Sequence, residues 1–216
     1  MLDNDLFIKK ININKDDFPT MNKYPYNIKV IKDFKSLKLD CPVTFIVGDN
    51  GIGKSTFIEA LAVACGLNPE GGTENFTFHT KNTHSDLYKY FKLERGRIPE
   101  NKYFLRAESF YNVSTEIVRL SEEGGQRPLY SSYGGNLHEC SHGEAFIKLV
   151  ENRFSDNGLY ILDEPEAALS PIRQMTLLTL IHNLVKRGSQ FIIATHSPIL
   201  ISYPGAVICD LNNNFQ

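Results

Sequence analysis

The sequence predicts an α/β protein built on a mainly parallel sheet with helices on both faces. Three observations predict it. The final third alternates short apolar runs with amphipathic segments, the pattern of strand–helix–strand units. Earlier, Val43-Thr44-Phe45-Ile46-Val47 is a β-branched and aromatic run that leads through a glycine-rich loop into a helical pattern. Later, Leu159-Tyr160-Ile161-Leu162 runs directly into two acids, Asp163 and Glu164.

In chain order, the first forty residues are mixed and polar, with Ile28-Lys29-Val30-Ile31 predicted as a strand. After the Val43–Val47 strand, Lys54 to Cys65 reads as a helix with Phe57, Ile58, Leu61, Ala62 and Cys65 on one face and Gly66 as its stop. Residues from about 68 to 140 form a less regular inserted subregion within what reads as one domain spanning 1–216. In it, Asn68 to Gly72 is a loop, Lys102 to Arg106 a strand, and Ser131 to Asn136 a flexible approach to the next helix. Gly143 to Phe154 is helical, as is the segment from Ser170-Pro171 to about Lys186, which Gly188 stops. Phe191 to Ala194 and Ala206 to Cys209 are the last two strands.

Composition bounds the function. The chain has 216 residues, 42% hydrophobic and 22% charged, ordinary for a globular protein. Its formal net charge of −2 gives no basic footprint for nucleic acid, although a local basic groove stays open. The four cysteines, Cys41, Cys65, Cys140 and Cys209, form no C-x-x-C pair and read as reduced thiols. Met1 to Asp5 lacks the layout of a signal peptide, and no apolar run approaches a bilayer span. The expectation is a cytoplasmic protein without direct membrane insertion.

The chemistry begins at Gly48-Asp49-Asn50-Gly51-Ile52-Gly53-Lys54-Ser55, which fits G-x-x-x-x-G-K-[ST] between a strand and a helix. Glycines let backbone N–H groups turn toward an anion, and the helix start adds unpaired donors. Lys54 then brings charge to the β- and γ-phosphates of a nucleotide, and Ser55 a hydroxyl to Mg²⁺. Asp163, at the C-terminal edge of its strand, is placed to hold Mg²⁺ from behind its direct ligands, and Glu164 is placed to orient or deprotonate an attacking water. His196, in Thr195-His196-Ser197-Pro198, follows another strand and can reach the γ-phosphate or that water, while Ser197 and Pro198 also make a good helix start.

Ser141-His142-Gly143-Glu144 is a capping box that explains Ser141 and Glu144. Gly143, which costs helix stability, remains over; a missing side chain there favours a second anion site. His138, Cys140 and His142 match no standard zinc spacing.

In this order the motifs resemble the ABC-type ATPase head, in the soluble branch that contains RecF and the structural-maintenance-of-chromosomes proteins, often labelled AAA-family ATPases. More narrowly they resemble a compact bacterial group of predicted ATPases, on Phe104 to Phe110, Ser141 to Glu144, Leu162 to Glu166 and Ala194 to Pro198. The resemblance implies a P-loop fold with a mainly parallel central sheet and a small N-terminal antiparallel β portion. Gly48 to Thr56 would be Walker A, Asp163 and Glu164 Walker B and the catalytic base, Ala168-Leu169-Ser170 the D-loop and His196 the switch histidine. Ser141 to Glu144 would be the signature, meeting ATP held by an opposite subunit. It implies ATP and Mg²⁺ as ligands, an ATP-dependent homodimer, and a separate effector in DNA repair or defence.

There are departures. The signature is not Leu-Ser-Gly-Gly-Gln, and no clear Q-loop glutamine is present. Glu108 stands near its expected place and is a third candidate toward the metal. About 85 residues separate Lys54 and Ser141, too few for long coiled-coil arms at about 1.5 Å of rise per residue. No nuclease domain follows the head motifs, so neither a chromosome-scale tether nor a self-contained nuclease is expected. Two alternatives accompany this reading: the ATP-binding subunit of a membrane transporter, and a nucleotide-gated binding module with negligible turnover.

Overall fold

The computed structural model of the chain describes residues 6–72, 85–110 and 141–213. The approach at Ser131 to Asn136, together with His138 and Cys140, lies outside the described residues. The elements run β1 (Ile8–Ile13), α1 (Lys29–Asp33), β2 (Ser36–Lys38), β3 (Val43–Val47), α2 (Lys54–Ala64), β4 (Phe91–Arg95), β5 (Asn101–Arg106), α3 (His142–Arg153), β6 (Gly158–Asp163), α4 (Pro171–Lys186), β7 (Gln190–Ala194), α5 (Pro198–Ile201) and β8 (Val207–Asp210).

Five strands form a parallel sheet in the order β5-β6-β7-β3-β8, and β2-β1-β4 form a small antiparallel sheet. The parallel sheet is buried on both faces, which explains its continuous apolar runs. Along β6 every residue is buried, and alternate side chains serve different cores. Leu159 and Ile161 join a cluster with Phe57, Ile58 and Leu61 of α2 and with Ile11 and Phe91 of the antiparallel sheet. Tyr160 and Leu162 join Phe146 and Leu149 of α3 and Leu177 and Ile181 of α4. The result is three layers: α2 with the antiparallel sheet, the parallel sheet, then α3 and α4.

Gln190 is a buried polar residue in β7 and holds two layers together. Its Oε1 accepts from the N–H groups of Phe7 and Ile8 at 2.9 and 3.0 Å, and its Nε2 donates to the Ile8 carbonyl at 2.9 Å. A buried amide is tolerable when its donors and acceptors are met, as they are here.

The strand expected at Ile28 to Ile31 is instead the short helix α1. Val30, Ile31 and Phe34 are its buried residues and its closing cap. Their i, i+1, i+4 spacing gathers on one side of a helix; in a strand, Val30 and Ile31 would point to opposite faces. The other predicted elements of the described region form within one or two residues of their expected limits. Strands β4 and β5, both inside the irregular stretch, each belong to one of the two sheets.

Candidate nucleotide site

The C-terminal edge of the parallel sheet gathers the ends of four strands. From β3 the chain enters the glycine-rich loop and then α2. From β6 it reaches Asp163 and Glu164, from β7 Thr195 and His196, and from β5 Arg106. Backbone bonds lace this edge: Glu164 N–H donates to the Ala194 carbonyl at 2.9 Å, and Thr195 N–H to that of Ile46 at 3.2 Å. Ligands of open α/β sheets bind at such edges.

The loop is built around glycine. Gly53 is the N-cap of α2 with φ +111°, and a Cβ there would meet Ile28 Cγ2 at 2.7 Å. Both the left-handed backbone and the contact exclude a side chain. With glycine there, α2 begins with no side-chain cap, and its first turn also carries no acid, leaving its early N–H groups for a ligand. Lys54 is buried, and its Nζ donates to the carbonyls of Gly48 and Asp49 at 2.9 and 3.1 Å. Burial holds its pKa below the usual lysine value, opposed by Glu164, Asp163, Asp49 and Glu166. A desolvated cation resting on carbonyls beside uncapped N–H groups fits a phosphate chain.

Asp163 is 2% exposed. Ser55 Oγ donates to its Oδ1 at 3.5 Å, a long bond, and Arg106 Nε stands 3.3 Å from its Oδ2. Burial raises the Asp163 pKa to about 7, against the lowering effect of Arg106. Once ionised, a buried carboxylate beside a serine hydroxyl is an oxygen donor set suited to a hard divalent cation such as Mg²⁺. Among the described residues, no cluster of three His, Cys, Asp or Glu side chains is preassembled as a metal cage.

Glu164 takes a left-handed backbone, φ +48° and ψ +51°, an uncommon state for a residue with a side chain. The turn carries its carboxylate off the sheet edge to within 3.6 Å of His196 Nε2. The His196 N–H donates to Glu166 Oε1 at 2.6 Å, fixing the histidine loop against the acidic turn. Lys54, Ser55 and Glu164 line one cavity of about 540 Å³ with Asn50, Gly51, Gly53, Thr56, Tyr24 and Ile28. A second cavity, of about 470 Å³, is lined by the starts of β5 and β6 and contains none of these residues.

Glu108 and the Ser141 to Glu144 segment do not line the cavity of Lys54 and Glu164. Glu108 is 84% exposed and pairs with Arg106 at 3.4 Å. Ser141 to Glu144 form a complete capping box in which Ser141 Oγ accepts from Glu144 N–H while the Glu144 carboxylate accepts from Ser141. The space at Gly143 is already taken: a Cβ would lie 2.9 Å from Arg173 Cδ and Nη1 and 3.1 Å from the Ala168 carbonyl oxygen. Arg173 in turn pairs with Glu144 at 2.9 Å.

The sequence reading missed Tyr24, Glu59 and Arg106. Tyr24 is 66% exposed, lines the cavity and brings its hydroxyl to 3.3 Å from Thr56 Oγ1; its signal, an aromatic ahead of the loop, has no fixed spacing. Glu59 was within reach, since it stands one helical turn after Ser55.

A mainly parallel sheet with a phosphate-loop helix, an acidic strand end and a side antiparallel sheet defines an ABC-type ATPase head. The chain belongs to the AAA-domain family: the family model described as AAA domain matches residues 26–158. A second family model, described as AAA domain, putative AbiEii toxin, Type IV TA system, matches residues 146–202. The chain is 25% identical over 236 residues to ABC transporter E family member 1 of Arabidopsis thaliana, covering 94% of this chain and 36% of that one. It is 26% identical over 221 residues to the phosphate import ATP-binding protein PstB of Borreliella burgdorferi, covering 90% of this chain and 79% of that one. The SMC head domain from Thermotoga maritima shares the fold with a TM-score of 0.50 at 17% identity, covering 95% of this chain and 94% of that one. The chain spans little more than a third of the length of the first curated relatives it matches. No helix among the described residues is long and apolar enough to cross a membrane.

Proposed function

We propose that this chain binds ATP with Mg²⁺ and hydrolyses it, and that two copies close on the nucleotide to drive a separate partner in DNA repair or defence. The observation that carries the first part is the uncapped start of α2 with buried Lys54, set beside the Ser55–Asp163 contact and Glu164. In this reading the loop N–H groups and Lys54 hold the phosphate chain, and Ser55 and Asp163 hold Mg²⁺. Bound Mg²⁺ would supply positive charge against the phosphate oxygens. Glu164 orients an attacking water and accepts its proton, and His196 steadies the Glu164 carboxylate from 3.6 Å. Tyr24 offers an exposed ring to the base.

Closure of two copies rests on the family resemblance, with Ser141 and Glu144 facing the nucleotide of the second copy. A transporter subunit is the second reading, favoured by relatives named as import ATP-binding proteins. The test is light scattering with ATP and Mg²⁺ on wild type and Glu164→Gln, alongside phosphate release. The expected result is turnover in the wild type and a trapped dimer in the variant. Equal phosphate release from both would remove Glu164 from the chemistry, and a variant monomeric at high concentration would end the shared-site model.

A further inference from the structure

The face of the sheet that α2 covers holds a square of four side chains. In the register of β5 and β6, Arg106 pairs with Asp163. Strand alternation puts both on the same face as Phe104 and Ile161, which pack in the α2 cluster. On α2, Ser55 and Glu59 are four residues apart and share one side of the helix. The two pairs meet: Ser55 contacts Asp163 at 3.5 Å, and Arg106 Nη1 donates to Glu59 Oε2 at 2.9 Å. Arg106 closes the square with Nε 3.3 Å from Asp163 Oδ2.

The Arg106 and Glu59 side chains are 19% and 20% exposed, and that of Asp163 is 2% exposed. Two carboxylates this close to the core are stabilised in their charged form by a cation between them. Arg106 supplies it with a rigid fork that spans both, which a lysine could not do. Its grip falls on Oδ2, the oxygen turned away from Ser55. The Asp163 carboxyl thus lies with Oδ1 toward the hydroxyl and Oδ2 toward the guanidinium. Arg106 Nε is buried and makes no aligned hydrogen bond among the described residues, so its hold on Oδ2 at 3.3 Å is one of charge and proximity.

We propose that Arg106 is a positioning residue for the metal: by holding Oδ2 and anchoring on Glu59, it presents Oδ1 of Asp163 to the cation. This rests on the Mg²⁺–nucleotide reading of the site. It separates two affinities, because Lys54 and the loop hold phosphate without Arg106.

The test uses Mn²⁺ as the probe. Its binding with a non-hydrolysable ATP analogue is followed by electron paramagnetic resonance, and analogue affinity without metal is measured in chelator. Arg106→Ala is expected to weaken Mn²⁺ about tenfold or more, the usual effect of losing a group that orients a metal ligand. Metal-free analogue affinity should stay within about twofold, since the phosphate contacts remain. Arg106→Lys, which keeps charge and loses the fork, should fall between. Should Arg106→Ala fail to fold, Arg106→Lys and Glu59→Gln carry the test, each expected to weaken Mn²⁺ and spare metal-free binding. Unchanged Mn²⁺ affinity in the folded variants, or equal loss of both affinities, would overturn the proposal. If the wild type binds neither analogue nor Mn²⁺, the site reading itself falls; wild-type binding that Arg106→Ala leaves intact sinks this inference alone.

Discussion

Helices α2 and α3 start in opposite ways. At α2 the cap is Gly53, the first turn carries no acid, and a buried lysine rests on backbone carbonyls. At α3 the cap is Ser141, its oxygen accepts from Glu144 N–H, and Glu144 accepts in return. Those hydrogen bonds, first from the Ser141 backbone, also hold the Glu144 pKa below the usual carboxylate value. α4 and α5 follow α3, each capped by a serine, Ser170 and Ser197. Every helix start has unpaired N–H groups and a positive dipole end. What differs is whether the chain has already satisfied them. In the proposed reading the start of α2 serves phosphate because the sequence withholds the cap and sets a glycine loop and buried Lys54 beside it, whereas α3 must give up bonds of its own before it can serve a ligand.

The largest effect should come from breaking the open start. Lys54→Ala removes a charged donor from a desolvated cradle, a loss of about 2–3 kcal/mol, or on the order of a hundredfold in nucleotide affinity. Titration with a fluorescent ATP analogue measures it. An affinity within threefold of wild type would mean that the uncapped backbone alone carries the phosphate.

The next effect concerns the buried acid beside that start. Asp163 titrates at about 7 in the fold against an ordinary 3.8. Between those values the folded chain holds a proton that the unfolded chain has lost. Stability therefore falls as pH rises through this window, and the group's penalty is complete above pH 7. Without metal, wild type should melt lower at pH 8 than at pH 5.5 by more than Asp163→Asn does. At the proposed metal site, Mg²⁺ would also have to displace the proton below pH 7, so its affinity should drop about tenfold per unit. Melting curves in chelator and Mg²⁺ titrations at several pH values check both. Parallel pH profiles for wild type and Asp163→Asn would show that the carboxyl is not buried as described.

Much of this edge could be read from the residues. The phosphate loop announces itself because a curled backbone, a point charge and a hydroxyl demand particular residue types at fixed spacing. Asp163 and Glu164 stood out because an all-apolar strand ended on them. The antiparallel sheet was legible only through family resemblance. In β1 the pairing with β4 shifts between Ile8 and Lys10, so the buried residues fall at Ile8, Ile11 and Ile13 and the alternation that marks a strand is broken. Arg106 was hidden for another reason: its partners Glu59 and Asp163 are 47 and 57 positions away, and only strand register brings them together. Local pattern fixes elements; the contacts between element ends come from the sheet.

The smaller effects lie at the closed start. Gly143→Ala puts a methyl where Arg173 and the Ala168 carbonyl already sit, an overpacking cost of about 1–3 kcal/mol. Arg173→Ala clears part of that space, so the double variant should recover stability relative to the sum of the singles. If Gly143→Ala leaves melting unchanged but blocks ATP-dependent association, glycine is there for a ligand and not for Arg173. Ser141→Ala is the mildest change. It removes one cap, worth about 1 kcal/mol, and should lower melting by roughly 2–4 °C. With the proposed phosphate site of the monomer at α2, equilibrium binding of ATP by dilute protein should not move. Any role in a second copy's site would appear only as weaker association at high concentration. Loss of monomer affinity on this substitution would undo the contrast between the two helix starts, since it would place the closed start in the chain's own nucleotide site.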